Sequence, residues 1–363
     1  MKLSDVCTKG TSNIAQKDLD ARNGAYPIYG ASGFIKNVDF YHQEKPYIAI
    51  VKDGAGVGRV MQLPARSSVI GTMQYIIPNE GVSVEYLAYA LEYMNLSKYY
   101  LGAAIPHIYF KDYCSEPMPN HTPEEQAKIS HVLGLVCNLI SLRKQQLSKL
   151  DELVKSRFIE LFGDIKTGNY KFETRKLGEV AEVGSSHRVF TTEFVEEGVP
   201  FYRGTEIGEL ANGLKPENPY RITKEHYDRL ACDETKPKLG DLLMPSICNK
   251  GQVWMVDTDE PFYYKDGRVL CISPNRKLFN CKYLEQFMRE KTLVEYPKLG
   301  SGSTFAEFKI FLLKDIEVLI PPIELQDQFA AFVEQTDKSK LVIQKSLEKL
   351  ETLKKALMQK YFG

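Results

Sequence analysis

The sequence predicts an α+β protein in which two globular mixed α/β domains are joined by two long helices. These helices are expected to form an antiparallel coiled coil, so that the chain is a pseudo-two-fold internal repeat. The first observation behind this prediction is a duplication at a constant offset of 200 residues. The second is a heptad pattern of apolar residues in both duplicated segments, and the third is a set of short strand-like runs outside them. A duplication indicates the architecture because both copies are expected to form the same structural unit.

The duplication relates residues 121–163 to the last 43 residues of the 363-residue chain. Glu124 and Gln126 recur as Glu324 and Gln326, and both copies end on Phe-Gly. Further identities at this offset have helical spacing. They occur at Leu147, Lys149, Leu150, Leu153 and Lys155. We therefore divide the chain into a first globular domain, a central long helix, a linker, a second globular domain and a C-terminal long helix, at residues 1–123, 124–163, 164–175, 176–320 and 321–363.

Both helical segments carry apolar residues at the a and d positions of a coiled coil. About 38 residues at 1.5 Å each give a helix of roughly 57 Å, which favours pairing of the two helices with each other. In the second copy Thr336, Lys340 and Lys354 interrupt the seam, and in the first copy Arg143 and Arg157 do so. The apolar residues expected in the helix interface or against a partner are Ile129, Leu133, Val136, Ile140, Leu147, Leu150, Val154, Leu161, Phe329, Val333, Ile343, Leu347, Leu350 and Leu357.

The two globular segments share landmarks in the same order. A Lys-Leu pair with a following Val occurs at Lys2 and again at Lys176, and a Pro-aromatic run occurs at 26–29 and again at 199–202. Residues 47–60 correspond to 241–253, and the pair at 101–102 corresponds to 299–300. Strand-like runs alternate with turn clusters, which is typical of mixed α+β domains. The greater divergence of these domains suggests one scaffold that carries two different recognition surfaces.

Composition excludes several classes of protein. The formal net charge is zero, and the seven cysteines are odd in number and show no C-x-x-C spacing, so neither a disulfide framework nor a zinc site is expected. No apolar run approaches the roughly 20 residues of a membrane helix, and the N-terminus lacks a signal-peptide pattern. We expect a cytoplasmic protein with free thiols and no bound metal.

Two motifs resemble enzyme sites. Gly54, Gly56 and Gly58 follow a predicted strand, but a dinucleotide-binding loop must open a helix, and residues 59–64 are strand-like. A tight turn in a sheet is the better interpretation. Residues 307–309, Glu-Phe-Lys, lack the nearby acidic residue of a nuclease site and are interpreted as a surface turn. Because no catalytic arrangement can be assembled, the chain is predicted to be a reader or a scaffold.

Nucleic-acid reading requires basic and amide side chains near turns, with aromatic residues between them. Arg, Asn and Gln match the edges of guanine and adenine in the major groove. Tyr29 and Tyr109 lie beside such residues in the first domain, and Tyr202 does in the second. The DNA-binding candidates are Lys36, Lys52, Arg59, Arg66, Gln74, His107, Lys111, His187, Arg188, Arg203, Arg221, Asn249, Lys250, Gln252 and Arg268.

These motifs, in this order and twice over, resemble the DNA-specificity subunit of type I restriction–modification systems across essentially the whole chain. The resemblance is carried by residues 26–33, 51–58 and 300–305, by the helix starts at 119–126 and 321–326, and by the helix ends at 153–164 and 353–363. The chain departs from the family's usual pattern at 123–126, where the doubled proline is spread out. It also departs at Leu325, which replaces the first residue of a Glu-Gln pair.

The resemblance implies a non-enzymatic subunit whose globular domains are target-recognition domains, each reading one half of a bipartite, asymmetric site in double-stranded DNA. The helix pair would set the unread spacer and bind methyltransferase (modification) subunits, expected as a pair. Those partners would bind S-adenosylmethionine and methylate adenine, and this chain would bind no cofactor. Restriction/translocase subunits would join the same complex.

Two other functions remain open from the residues. A protein-interaction scaffold with two binding domains fits the low net charge and would show no affinity for duplex DNA. An enzyme that uses the 54–58 turn would contain a bound nucleotide after purification. The target bases, the spacer length, the residues that contact bases, the presence of a restriction subunit and self-association of the free chain do not follow from the sequence.

Overall fold

The computed structural model describes residues 1–100, 106–232, 235–300 and 306–363. The chain divides into two compact units, one formed by residues 1–146 with 343–363 and the other by residues 147–342. Each unit therefore combines a globular domain with parts of both long helices, whereas the sequence suggested a linear division. The landmarks expected at 101–102 and 301–305 lie outside the described residues.

In the first unit a short helix precedes seven strands, and two further short helices follow them before the first long helix begins. The strands are β1 (Cys7–Thr11), β2 (Tyr26–Gly30), β3 (Gly33–Val38), β4 (Tyr47–Val51), β5 (Val60–Leu63), β6 (Ser68–Val69) and β7 (Met73–Pro78). The helices are α1 (Leu3–Val6), α2 (Val84–Tyr93), α3 (Phe110–Tyr113) and the long helix α4 (Pro123–Phe162), of which residues 123–146 belong to this unit.

Strand β4 forms the centre of the first unit. It lies in an antiparallel sheet with the order β1-β7-β4-β5, and a second sheet has the order β3-β2-β6, with β2 and β6 parallel. All five residues of β4 are buried. Ile48 and Ile50 pack with α2 and α4, whereas Tyr47, Ala49 and Val51 pack on the other face of the sheet. A continuous apolar run is the sequence pattern expected of a strand that is covered on both faces.

In the second unit the order of the sheet strands recurs, with additional helices between them and additional short strands at the ends of the unit. The strands are β8 (Gly163–Asp164), β9 (Asn169–Tyr170), β10 (Thr174–Lys176), β11 (Ala181–Gly184), β12 (Val199–Tyr202), β13 (Tyr220–Ile222), β14 (Leu242–Pro245), β15 (Trp254–Met255), β16 (Tyr263–Tyr264), β17 (Val269–Pro274) and β18 (Glu317–Leu319). The helices are α5 (Leu177–Val180), α6 (Gly204–Ala211), α7 (Lys224–Leu230), α8 (Cys281–Glu295), α9 (Ile310–Lys314) and the long helix α10 (Ile323–Phe362), of which residues 323–342 belong to this unit.

The sheets of the two units have matching topology. The second unit has one antiparallel sheet with the order β11-β17-β14-β15 and another with the order β13-β12-β16, in which β12 and β16 are parallel. Leu242 and Met244 of β14 pack on one face, and Leu243 packs on the other, as in β4. The duplication inferred from the helices therefore extends to the globular domains, whose sequences retain little of it.

The segment 164–175, expected to be a linker, is instead built into the second unit. Strands β8 and β9 form a hairpin, and β10 pairs antiparallel with β18. Ile165 is buried in the core of the unit, and Phe172 packs against that core. A free linker would leave such apolar side chains in water, so burial explains why the segment is ordered.

The apolar positions of the helix seam are turned inward in both units. In the first unit Leu133 is fully buried, and the salt bridge Lys144–Glu351, at 3.1 Å, joins α4 to α10. In the second unit Phe329 of α10 packs on Phe158 of α4, with ring centroids 5.5 Å apart. Within each unit the end of one helix lies beside the start of the other, so the predicted antiparallel arrangement is confirmed.

The three polar residues that interrupt the seam in α10 all have partners. Lys340 pairs with Asp151 at 2.6 Å, and Lys354 pairs with Glu92 of α2 at 2.8 Å. Thr336 is buried and its hydroxyl donates to the carbonyl of Phe332. These contacts satisfy the polar side chains of these three residues, since a half-buried ammonium group is tolerated only when it is paired. In the described ranges, no helix has the length and apolar content needed to cross a membrane.

A buried glutamine in the first turn of each long helix holds a helix of the globular domain. The side-chain oxygen of Gln126 accepts from the backbone N–H of Ser83 at 3.0 Å, and Ser83 caps α2. Gln326 accepts from the backbone N–H of Asn280 at 2.9 Å, and Asn280 caps α8. The Gln326 amide also donates to the carbonyls of Leu278 and Pro321, both at 2.8 Å. The two glutamines are among the identities at an offset of 200 residues, and this contact explains why both copies contain them.

We expect Gln326→Ala to destabilise the second unit by about 2–5 kcal/mol. The substitution leaves buried backbone groups unsatisfied, and each costs about 1–3 kcal/mol. Gln328→Ala is the matched control because Gln328 lies exposed on the same turn of α10. Denaturant-induced unfolding of the full chain measures the effect. Equal unfolding midpoints for the two variants would contradict this role for Gln326.

Candidate nucleic-acid interface

In the first unit three segments of backbone meet at the end of β4. The backbone N–H of Lys52 donates to the carbonyl of Thr72 at 3.0 Å, and the N–H of Ile108 donates to the carbonyl of Lys52 at 2.9 Å. The N–H of Gly54 donates to the carbonyl of Pro106 at 2.9 Å. These bonds bring the glycine turn and the 106–111 segment, which are distant in sequence, to one surface.

The glycine turn is a hairpin between β4 and β5. Gly58 has φ +85°, and a Cβ there would lie 2.5 Å from the backbone nitrogen of Ser97, so the position requires glycine. The chain continues directly into a strand and does not open a helix. This confirms the tight turn predicted from the sequence, and the turn lacks the helix start that a dinucleotide-binding loop requires. Within the described residues, no group of three or more His, Cys, Asp and Glu side chains is placed to hold a metal ion.

Basic and aromatic side chains project from this junction. Arg59 is exposed, and its guanidinium donates to the carbonyl of Ala31 in the turn between β2 and β3. The rings of His107 and Tyr109 lie 4.9 Å apart edge to face, and the Lys111 ammonium lies 5.2 Å from the centre of the Tyr109 ring. Tyr109 is 51% exposed. Cations interleaved with exposed rings are the composition expected of a surface that binds nucleic acid.

Three candidates of the first unit do not join this surface. Gln74 is buried and its amide donates to the hydroxyl of Tyr113 at 2.5 Å, so it cannot reach a base edge and the prediction for it is wrong. The ammonium group of Lys36 donates to the carbonyl of Leu19. Arg66 pairs with Glu44 at 3.5 Å and lies beyond the end of β5. Lys52 remains at the junction, where its ammonium lies 3.8 Å from the Asp53 carboxylate.

The second unit has a corresponding junction at the end of β14. The N–H of Ser246 donates to the carbonyl of Arg268 at 2.8 Å, and the N–H of Phe308 donates to the carbonyl of Ser246 at 2.7 Å. The Arg268 guanidinium pairs with Glu307 at 2.6 Å, and Lys309 pairs with the same carboxylate. Residues 307–309, expected to be a surface turn, are therefore part of the junction. The sequence did not single out Glu307 because its partner Arg268 is 39 residues away.

Arg188 lies next to this junction. Its guanidinium is 3.5 Å from Asp266, in the turn that precedes Arg268, and lies 5.7 Å from the centre of the Phe190 ring. Phe190 is 58% exposed. His187 is also exposed, and its backbone N–H donates to the Tyr263 hydroxyl at 3.0 Å. The surface again combines cations with an exposed ring.

The remaining candidates differ in how freely they face solvent. Arg203 forms two hydrogen bonds to Glu206 and stacks 4.5 Å from the Tyr220 ring centre. Burial would raise the pKa of Glu206, but the hydrogen bonds from Arg203 outweigh it and lower that pKa. Arg203 thus supports the start of α6. Arg221 donates to the carbonyl of Gly198 at 3.0 Å.

The turn after β14 carries the last three candidates. Asn249 and Lys250 are exposed. The side-chain oxygen of Gln252 accepts from the backbone N–H of Lys250 at 3.0 Å, so Gln252 shapes the turn. Gly251 has φ +66°, and a Cβ there would lie 2.7 Å from the carbonyl oxygen of Arg289. Gly251 therefore has the same requirement for glycine as Gly58.

The sequence of the chain matches a known protein family. The chain matches the family model described as type I restriction modification DNA specificity domain over residues 1–152 and 169–352, that is, over both copies of the repeat. Among curated proteins it is similar to two specificity subunits from Methanocaldococcus jannaschii. It is 24% identical to that of the type I restriction enzyme MjaIX over 309 residues, which is 78% of this chain and 69% of the relative. It is 25% identical to that of MjaVIII over 352 residues, which is 90% of this chain and 81% of the relative.

Solved structures show the same fold. The S subunit of a type I restriction–modification system from M. genitalium is similar with a TM-score of 0.63 at 14% identity, covering all of this chain and 95% of the other. A chain from a study of complex assembly and conformational transition in the type I system has a TM-score of 0.54 at 16% identity, covering all of this chain and 96% of the other. With the family model matched over both copies of the repeat, this chain belongs to the DNA-specificity subunits of type I restriction–modification systems.

Proposed function

We propose that each globular domain of this specificity subunit reads one half of a split duplex site, and that the two half-sites differ. One observation carries the proposal. The two units share their sheet topology and the backbone bonds at the strand end, yet they present different side chains there. The shared backbone arrangement would let both domains bind DNA in the same orientation, whereas base contacts from side chains specify sequence.

The chain would supply recognition, and its partners would supply the chemistry. Methylation subunits would bind S-adenosylmethionine and modify a flipped adenine, because a base within the duplex is inaccessible to such a reaction. The long helices would set the number of unread base pairs between the half-sites. Restriction/translocase subunits would join this assembly. The zero net charge fits such a division, because partners can provide the phosphate contacts that dominate affinity.

An exposed apolar row on α4 supports the binding of a methylation subunit. Leu135, Leu139 and Leu142 follow one another at helical spacing and are 52%, 44% and 53% exposed. They are separate from the buried seam residues, such as Leu133 and Val136, of the same helix. Contiguous exposed apolar side chains mark protein–protein contacts. We assign this row to the methylation subunit.

Leu139→Asp is expected to weaken retention of the methylation subunit by tenfold or more, because an uncompensated charge would be buried at the contact. The unfolding temperature of the free chain is expected to remain unchanged, since Leu139 is already exposed. Ser141→Asp adds the same charge at an exposed position on the other flank of the helix and serves as the control. Co-purification on a tagged chain measures retention. Equal retention by both variants would contradict the assignment.

The reading of separate half-sites is tested by exchanging a domain. Replacement of residues 176–320 by the corresponding region of another family member should change one half of the methylated motif and leave the other half and its adenine intact. The exchange leaves the duplicated helices in place. Mapping of N6-methyladenine by sequencing gives the readout. A change in both halves, or in neither, would contradict independent reading.

A further inference from the structure

The backbone junctions at the ends of β4 and β14 have the same pattern of hydrogen bonds. Thr72 and Arg268 each offer a carbonyl to the residue after the central strand, Lys52 or Ser246. That residue in turn accepts from the N–H of Ile108 or Phe308, which are both 1% exposed. Three pairs of positions are therefore equivalent at the surface of the two units, namely Thr72 with Arg268, His107 with Glu307, and Tyr109 with Lys309.

The equivalent positions differ in chemistry. In the first unit they carry a hydroxyl, an imidazole and a phenol, and in the second they carry a guanidinium, a carboxylate and an ammonium group. The backbone hydrogen bonds are the same in both units, whereas the side chains at these positions differ. This pattern is expected where two domains of common origin read different bases. Among these side chains Arg268 has the geometry best matched to one base.

Arg268 is exposed but held in place. Its side chain is 62% exposed, and one terminal nitrogen, Nη1, donates to Glu307 Oε2 at 2.6 Å. The turn before it is fixed by the Ser185 hydroxyl, which accepts from the N–H of Gly267 and donates to the carbonyl of Val269, both at 2.8 Å. Lys309 first, and then Arg268, hold the pKa of Glu307 below its ordinary value, so the carboxylate remains charged at neutral pH.

A guanidinium carries five N–H donors in a planar fork. The contact with Glu307 uses one nitrogen of Arg268 and leaves others for a ligand. Guanine presents two acceptors, N7 and O6, in the major groove, and an arginine fork matches both. A guanidinium already oriented by a carboxylate loses less conformational freedom on binding, which favours the contact.

We propose that Arg268, oriented by Glu307, reads a guanine in the half-site bound by the second unit. Arg268 is the specificity-determining residue, and Glu307 is a positioning residue that acts through it. The inference rests on the proposed function of the chain as a DNA reader, and it names a base and a residue for one half-site.

The test uses the specificity subunit assembled with its methylation subunits and a panel of duplexes in which each base pair of the site is replaced in turn. The wild-type complex should bind the original duplex roughly 5- to 150-fold more tightly than a duplex in which one particular G·C pair is replaced. Arg268→Ala should remove the discrimination at that pair and leave the other half-site unchanged. Glu307→Gln should reduce discrimination at the same pair only in part, because the neutral amide holds the guanidinium less firmly.

Lys215→Ala serves as a control that removes one positive charge from an exposed loop of the same unit, and it should leave discrimination at every pair unchanged. A uniform loss of affinity for all duplexes by Arg268→Ala, with a weaker dependence on salt, would show a phosphate contact and overturn the inference. Retained discrimination at every pair would also overturn it. Failure of the proposed function is distinct, because the wild-type complex would then show no preference among the duplexes.

Discussion

A buried glutamine at the start of each long helix connects the helix to the globular domain beside it. Gln126 and Gln326 are 7% and 0% exposed, and each binds the backbone of the residue that caps a neighbouring helix. A buried amide constrains its neighbours more strictly than an apolar contact does, because each misaligned group loses a hydrogen bond and remains desolvated. The position of the recognition surface in each unit is therefore fixed relative to the long helix that begins in the same unit. The proposed role, in which the globular domains read DNA and the helices bind partner subunits, needs this constraint.

The sequence predicted those features that depend on regular spacing. The seam positions of both helices are buried or half-buried, and Thr336, Lys340 and Lys354 also lie inward, although their polarity suggested interruption. The sequence could not show that Lys340 meets Asp151, because such partners lie far apart in the chain. The 164–175 segment was misread as a linker for a similar reason. Its strand β10 is short, and its partner β18 lies about 140 residues later.

The candidate site was predicted less completely than the fold. Arg59, His107 and Lys111 were expected from composition, and they lie on one surface because backbone bonds join two distant segments. Gln74 was misassigned, since an amide in a sequence gives no indication of whether it points inward. Glu307 was interpreted as part of a surface turn, since its partner Arg268 is 39 residues away in the chain. Its importance becomes visible only when the two units are compared bond by bond, which shows it in the position that His107 occupies in the first unit.

We propose that this chain gives a methylation complex its target sequence. The most direct measurement is a genome-wide map of N6-methyladenine in a host that carries the cognate methylation subunits, with and without the gene for this chain. We expect a split motif with an unread gap to be methylated only when the chain is present. Methylation that is independent of the chain, or an assembled complex that methylates no split motif, would contradict it.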